Sequence, residues 1–295
     1  MVAAPELLEL PRRRSLPRAT LVALRPRQWS KNLLVFAAKL GDAGRWAEAL
    51  ACFAAYCAVS SAAYLANDVR DREADRAHPV KRARPIARGE LSPRAALMLS
   101  AALTLAAGAI CAVLGPLSLA LVAGFAALQA AYTLGLKHVV LIDVLAIAGL
   151  FVIRAAAGAA AVDVRISPWL LLCTALLALF LALAKRRGEL VLVGAERTPG
   201  RRVLEGYSLE LVDQLVAIVA SSTVIAYAVY TLTAPHSRAL LATVPFVVFG
   251  VFRYLLLMHR DDIGEEPEQV LLTDVPILLA VAGWIATAAA ILALT

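Results

Sequence analysis

The chain has 295 residues, 61% of them apolar and only 6% aromatic, and carries a formal net charge of +7 at pH 7. Its mean hydropathy of +0.76 lies far above that of a soluble protein, and Ala, Leu and Val dominate the apolar content, as in packed membrane helices; a soluble globular domain is excluded. Membrane lipid is therefore the expected surroundings, and no nucleic-acid partner is expected.

The chain opens on Arg12, Arg13, Arg14 and Arg18. No short apolar core with a small-residue cleavage site follows, so no removable signal peptide is expected. Residues 1–24 read as a basic cytoplasmic segment. From residue 25 to 295 no long Gly/Ser or Pro-rich linker intervenes, which predicts one membrane domain.

Crossing the hydrocarbon takes roughly 20 apolar residues in a helix. Apolar stretches run over 29–40, 47–66, 95–114, 117–134, 139–161, 168–184, 211–233, 240–257 and 275–294. They predict an all-α polytopic protein of about nine transmembrane helices around a central cavity. The first stretch is the weakest, being short and carrying Lys31 and Lys39. The long basic connections, 70–94 and 185–210, fall on the same side as the amino terminus, which the positive-inside rule makes cytoplasmic. The four cysteines, Cys52, Cys57, Cys111 and Cys173, lie in apolar stretches without metal-ligand spacing and read as core residues.

The most informative stretch follows the second span: Asn67-Asp68-Val69-Arg70-Asp71-Arg72-Glu73-Ala74-Asp75. At helical spacing Asn67, Asp71 and Asp75 share a face, with Asp68 beside them. Such hard oxygen donors suit Mg²⁺, which takes phosphate oxygens and waters as its other ligands. The competing reading is a solvated helix end whose acids pair with Arg70, Arg72 and Arg76. Lys81, Arg82, Arg84 and Arg88 follow on a proline-braced loop. Acids that hold a metal, then bases, make a diphosphate site, although a basic loop also serves to fix topology and touch anionic lipid.

Arg154 lies well inside the fifth stretch, where an arginine is costly without a polar cavity or a partner. It is expected to meet a phosphate, or else to pair with Asp143. Lys31 and Asn32 stand at the start of the first stretch, where snorkelling competes with function for the lysine. Asp274, followed by Pro276, reads as a helix N-cap. The four histidines show no metal or base pairing.

In these residues the chain resembles the UbiA-type intramembrane prenyltransferase superfamily, through Asn67-Asp68-x-x-Asp71-x-x-x-Asp75 after a second membrane helix. Within it, Arg25-Pro26-Arg27-Gln28-Trp29-Ser30-Lys31-Asn32, the stretch 81–89 and Pro267-Glu268-Gln269-Val270-Leu271-Leu272-Thr273-Asp274 resemble the decaprenyl-phosphate phosphoribosyltransferase branch. Tyr132 and Lys137 match the superfamily's Tyr-x-x-x-x-Lys phosphate-binding pattern, though both residue types are also common interfacial anchors. The superfamily's second aspartate-rich motif is replaced here by Lys185-Arg186-Arg187-Gly188-Glu189, which weakens an aromatic prenyltransferase reading.

The resemblance implies transfer of 5-phosphoribose from phosphoribosyl diphosphate to a polyprenyl (decaprenyl) phosphate, toward cell-wall arabinan precursors, at a cytoplasm-facing site. It implies Mg²⁺ on Asn67, Asp68, Asp71 and Asp75, with Asp68 and Asp71 catalytic. Lys31, Lys81, Arg82, Arg84, Tyr132, Lys137, Arg154, Lys185 and Arg186 would take substrate phosphates. A homo-oligomer, a trimer, is also implied, although no feature of the sequence requires it. Prenyl transfer to an aromatic acceptor is the first alternative and a membrane transporter the second.

Overall fold

A computed structural model describes residues 13–39, 44–78, 80–194, 202–233, 238–260, 270 and 273–294. The described chain is helical, without strands: α1 (Leu16–Leu24), α2 (Trp46–Arg70), α3 (Arg72–Ala77), α4 (Pro93–Leu114), α5 (Pro116–Leu134), α6 (Ile142–Ala161), α7 (Pro168–Gly194), α8 (Leu209–Thr233), α9 (Val244–Arg260) and α10 (Val275–Leu294). Five stretches of 3-10 helix lie between them, the longest over Pro26–Lys39.

Among the described residues, seven segments are long and apolar enough to cross a membrane: α2, α4, α5, α6, the Pro168–Leu192 part of α7, α8, and Arg238–Arg260, which contains α9. The other two expected spans take different forms. Over Val275–Ile291 the last is a shorter apolar helix. The first is wound as 14 residues of 3-10 helix. At about 2 Å of rise per residue that winding reaches further than an α-helix of equal length, and it turns polar side chains such as Asn32 inward. The sixth stretch also departs from expectation, because α7 runs on to Gly194. Lys185 to Glu189 therefore lie on helix and not on a loop.

Burial orders the bundle. More than half of the apolar window of α2 and of α6 is buried, against less than a fifth for α4 and α5. Tyr56, Val59, Phe125, Leu150 and Ala157 fill the space between α2, α5 and α6. Leu105 and Val113 of α4, and Ile218 and Ile225 of α8, point outward, an apolar exterior that only lipid makes economical. The Pro26–Lys39 segment packs hard on α6: a Cβ built on Gly158 would sit 1.9 Å from the Val35 carbonyl oxygen. A cavity of about 430 Å³ lies where α4 meets α5, lined also by Asp163 and Arg165, at the end of the bundle opposite Asp71.

Asp274 caps α10 as its position predicts, accepting from the Ile277 N–H at 3.0 Å. It also pairs with Arg253 Nη2 at 2.9 Å, which holds its carboxyl below the usual range.

Candidate active site

The acid cluster forms where α2 gives way to α3. The Asp71 N–H donates to the Asn67 carbonyl at 2.9 Å and the Asp75 N–H to the Asp71 carbonyl at 2.8 Å. The four-residue register thus survives the break, and Asn67, Asp71 and Asp75 keep a common stripe. Arg70 fixes this end of α2 by donating to the Thr133 and Leu134 carbonyls at 3.2 and 3.3 Å. These lie at the C-terminus of α5, where backbone acceptors lack helical partners. That contact sets Lys137, on the 3-10 turn Leu136–His138, 3.5 Å from Asp71 Oδ2. Asn67 Nδ2 donates to the same oxygen at 3.0 Å.

The expected four-ligand cluster divides. Asp68 and Asp75 are both buried, and Arg84 Nη1 bridges them at 3.2 and 2.7 Å. Asp68 also accepts from Arg25 Nη2. Burial raises the pKa of Asp75, with Arg84 opposing it and the neighbouring Asp68 adding to it. Two carboxylates this deep need cations at hand, and the guanidiniums of Arg84 and Arg25 supply them. Among the described residues no three His, Cys, Asp or Glu side chains converge on one ion site. Asn67 and the partly exposed Asp71 are left as adjacent oxygen donors. One amide and one carboxylate fit Mg²⁺, which commonly takes one or two carboxylates plus phosphate oxygens and waters.

The basic loop is braced from two sides. His78 Nδ1 accepts from the Val80 and Lys81 N–H groups at 3.2 and 3.3 Å, starting the 3-10 turn Lys81–Ala83 on which half-buried Lys81 and Arg82 stand. Arg76 Nε donates to the Ala87 carbonyl at 3.0 Å. Arg14 donates to the Ala83 carbonyl at 3.1 Å and pairs with Glu90 at 2.9 Å. Burial pushes the Glu90 carboxyl up, but Arg14 and Arg88 outweigh it, and the net shift is downward. Within its described part, then, the amino-terminal segment is docked against the site, with Ala23 of α1 packed on Leu65, Ile86 and Leu91.

Arg25 was legible in the sequence only as part of a motif. It ends α1 in the left-handed region, at φ 53°, ahead of Pro26. Its guanidinium lies over the Tyr64 ring, 4.7 Å from the centroid. Trp29 Nε1 donates to Ser61 Oγ at 3.0 Å, and that hydroxyl donates to the Leu24 carbonyl at 2.9 Å, stapling the segment to α2. Lys31 is half-buried on the 3-10 helix.

The basic run on α7 is stitched into the bundle. Arg186, 1% exposed, pairs with Asp143 at 2.8 Å and with Glu189. The Tyr207 hydroxyl donates to Asp143 at 2.7 Å and accepts from the Leu141 N–H at 2.8 Å. Burial and the bond to Asp143 push the Tyr207 phenol up to about 12. Tyr132 lies within electrostatic reach of Arg186. Arg187 pairs with Asp213 at 2.7 Å and donates to the Met258 carbonyl at 3.0 Å. Lys185 is half-buried on the same turn. The expectation that Arg186 faces substrate phosphate thus meets a guanidinium already held between two carboxylates, a requirement of its burial.

Arg154 does not pair with Asp143, which Arg186 and Tyr207 occupy. Its Nε donates to Asn32 Oδ1 at 2.8 Å and its Nη1 to the Leu150 carbonyl at 3.1 Å. The residue points back along α6 toward the end that carries the acid cluster.

Comparison with known proteins places the chain in a family. Residues 32–273 match the model of the UbiA prenyltransferase family. A decaprenyl-phosphate phosphoribosyltransferase of Mycolicibacterium smegmatis is 34% identical over 90% of this chain and 89% of its own length. Its namesake from Mycobacterium tuberculosis is 35% identical over 94% of this chain and 97% of its own. Among solved structures, a UbiA homolog from Archaeoglobus fulgidus bound to GPP and Mg²⁺ superposes with a TM-score of 0.73 at 19% identity, covering 93% of this chain and 99% of that one.

Proposed function

The chain belongs to the UbiA prenyltransferase family, and on that footing we propose that it moves 5-phosphoribose from phosphoribosyl diphosphate to a polyprenyl phosphate. The observation that carries this reading is the 34–35% identity, over about nine-tenths of both chains, to enzymes named decaprenyl-phosphate phosphoribosyltransferases. The lack of an aspartate pair in the α7 run Lys185-Arg186-Arg187-Gly188-Glu189, where the aromatic prenyltransferases carry their second one, supports it. The product would serve as a precursor of cell-wall arabinan, and the site would face the cytoplasm.

Asn67 and Asp71 would hold Mg²⁺, while Asp68 and Asp75 hold Arg84 and Arg25 in place beside it. When bound, the ion would offset charge on the departing diphosphate. Lys137, 3.5 Å from Asp71, would then have a phosphate oxygen within reach, and Lys81 and Arg82, on the braced 3-10 turn, would offer further cations to the donor. Lys31, Tyr132 and Lys185 stand as further phosphate contacts. As the C1–diphosphate bond breaks, positive charge develops on the ribose. A phosphate oxygen of the acceptor forms the new bond to C1 from the opposite face, with inversion. A phosphate monoester is already ionised at neutral pH (second pKa about 6), so no general base is needed.

The second reading, prenyl transfer to an aromatic acceptor, shares the acid cluster, and the Mg²⁺ and GPP of the Archaeoglobus fulgidus structure favour it. Purified protein offered phosphoribosyl diphosphate with polyprenyl phosphate, or prenyl diphosphate with an aromatic acid, separates the two. Product from the first pair alone supports the proposal; product from the second pair alone refutes it.

A further inference from the structure

Two arginines are buried among the described residues, and their surroundings treat them differently. Arg186 lies between two carboxylates. Arg154, 5% exposed, donates only to neutral oxygens, those of Asn32 and Leu150. The Phe125 and Phe151 ring centroids lie 4.6 and 5.3 Å from its guanidinium carbon. No carboxylate among the described residues forms an ion pair with it. Neutral acceptors and aromatic faces offset only part of the cost of a buried charge. The missing charge is negative.

A second observation falls in the same layer. Ser60 is 5% exposed, and its hydroxyl has no hydrogen-bond partner. Arg154 meets α2 through two neighbours: Phe125, beneath its guanidinium, has its ring 5.2 Å from that of Tyr56, and Asn32, its acceptor, donates to Cys57 Sγ. Ser60 is four residues from Tyr56, three from Cys57 and four from Tyr64, so on a helix it sits at the centre of the face these three define. That face leads to the site already described: Tyr64 carries Arg25, and Arg25 holds Asp68.

We propose that Arg154, Ser60 and the Tyr64 hydroxyl form a subsite for the phosphate monoester head of the polyprenyl acceptor. The assignment rests on the transferase reading above. The acceptor, and not the donor, is the anion that reaches this depth, because its tail stays in hydrocarbon while the head leaves water. A guanidinium and two hydroxyls bind a dianion without any proton transfer. The subsite also explains why Arg154 is kept without an acid: a resident carboxylate would compete with the substrate.

Titration of the purified protein in detergent tests this, with farnesyl phosphate, farnesol, inorganic phosphate and a non-reactive phosphoribosyl methylenediphosphonate as probes. Farnesyl phosphate is expected to bind, farnesol and inorganic phosphate far more weakly. Ser60→Ala should weaken farnesyl phosphate by about 3- to 10-fold and leave the diphosphonate unchanged. Arg154→Gln should weaken it by more than about 10-fold. Should Arg154→Gln fail to fold, Ser60→Ala, which deletes one atom, decides. Farnesyl phosphate binding that is unchanged in Ser60→Ala overturns the subsite. So does inorganic phosphate binding as tightly as the lipid, which would make this a free-phosphate site. Wild-type protein that binds neither farnesyl phosphate nor the diphosphonate would instead bring down the transferase reading itself.

Discussion

Asn32 Oδ1 accepts a 2.8 Å hydrogen bond from Arg154 Nε across 122 residues of sequence. It joins the 3-10 segment to the centre of α6, and Asn32 Nδ2 continues the link to Cys57 Sγ of α2 at 3.3 Å. Asn32 is fully buried, so its amide serves as the polar rivet of three elements. Replacing it with Leu leaves the guanidinium without its best acceptor, and a hydrogen bond to a charged group contributes about 1.5–3 kcal/mol. Asn32→Leu should therefore unfold several degrees earlier in detergent, whereas Asn32→Asp should fold and bind acceptor poorly. Unfolding of Asn32→Leu at the wild-type temperature would contradict the rivet.

The close approach of Val35 to α6 gives a second prediction. A Cβ on Gly158 would meet the Val35 carbonyl oxygen at 1.9 Å, and backbone cannot step aside as a flexible side chain can. Gly158→Ala should cost about 1–3 kcal/mol or more through overpacking. Gly124→Ala, with nothing within 4 Å of its Cβ, should be neutral. Equal melting temperatures for the two variants would mean that the 3-10 segment does not pack on α6 as described.

Much of this was legible in the sequence and some was not. The apolar periodicity marks the membrane helices, and the Asn67 to Asp75 spacing marks the acid cluster, because both depend on residues near one another in the chain. The division of the cluster is different: Arg25 and Arg84 reach Asp68 from 43 and 16 residues away, and no local pattern says which cation takes which acid. Arg154 was conspicuous by its cost, but its partner came from the first apolar stretch and not from its own helix. The run at Arg186 looked like loop because it is charged. It is helix because Asp143, Glu189 and Asp213 neutralise it inside the bundle.

The roles of Asp71 and Asp68 separate by measurement. Asp71→Ala should keep the wild-type melting temperature and lose activity on the order of a hundredfold or more. Asp68→Ala removes a buried anion shared by Arg25 and Arg84, so it should lose stability as well, by about 3–5 kcal/mol. Matching losses of stability in the two variants would mean that both acids are structural.

Acid should loosen the amino-terminal clamp. The Glu90 carboxyl is held below its ordinary value of about 4.3 by Arg14 and Arg88. A carboxyl lowered in the folded state contributes stability that is present above the unfolded pKa and is lost as pH falls through the folded one. Wild-type stability should therefore decline more steeply than that of Glu90→Gln as pH drops below about 4.3. Parallel pH profiles would show that the clamp contributes nothing.

Transfer of labelled 5-phosphoribose into solvent-extractable lipid is the most direct test of the central claim. Purified protein given labelled phosphoribosyl diphosphate and polyprenyl phosphate should make labelled lipid with Mg²⁺, none with EDTA, and again on re-addition of Mg²⁺. Asp71→Ala with Mg²⁺ should make about a hundredth of the wild-type yield or less. No labelled lipid from folded wild-type protein, or a yield indifferent to EDTA and to Asp71→Ala, would contradict the account.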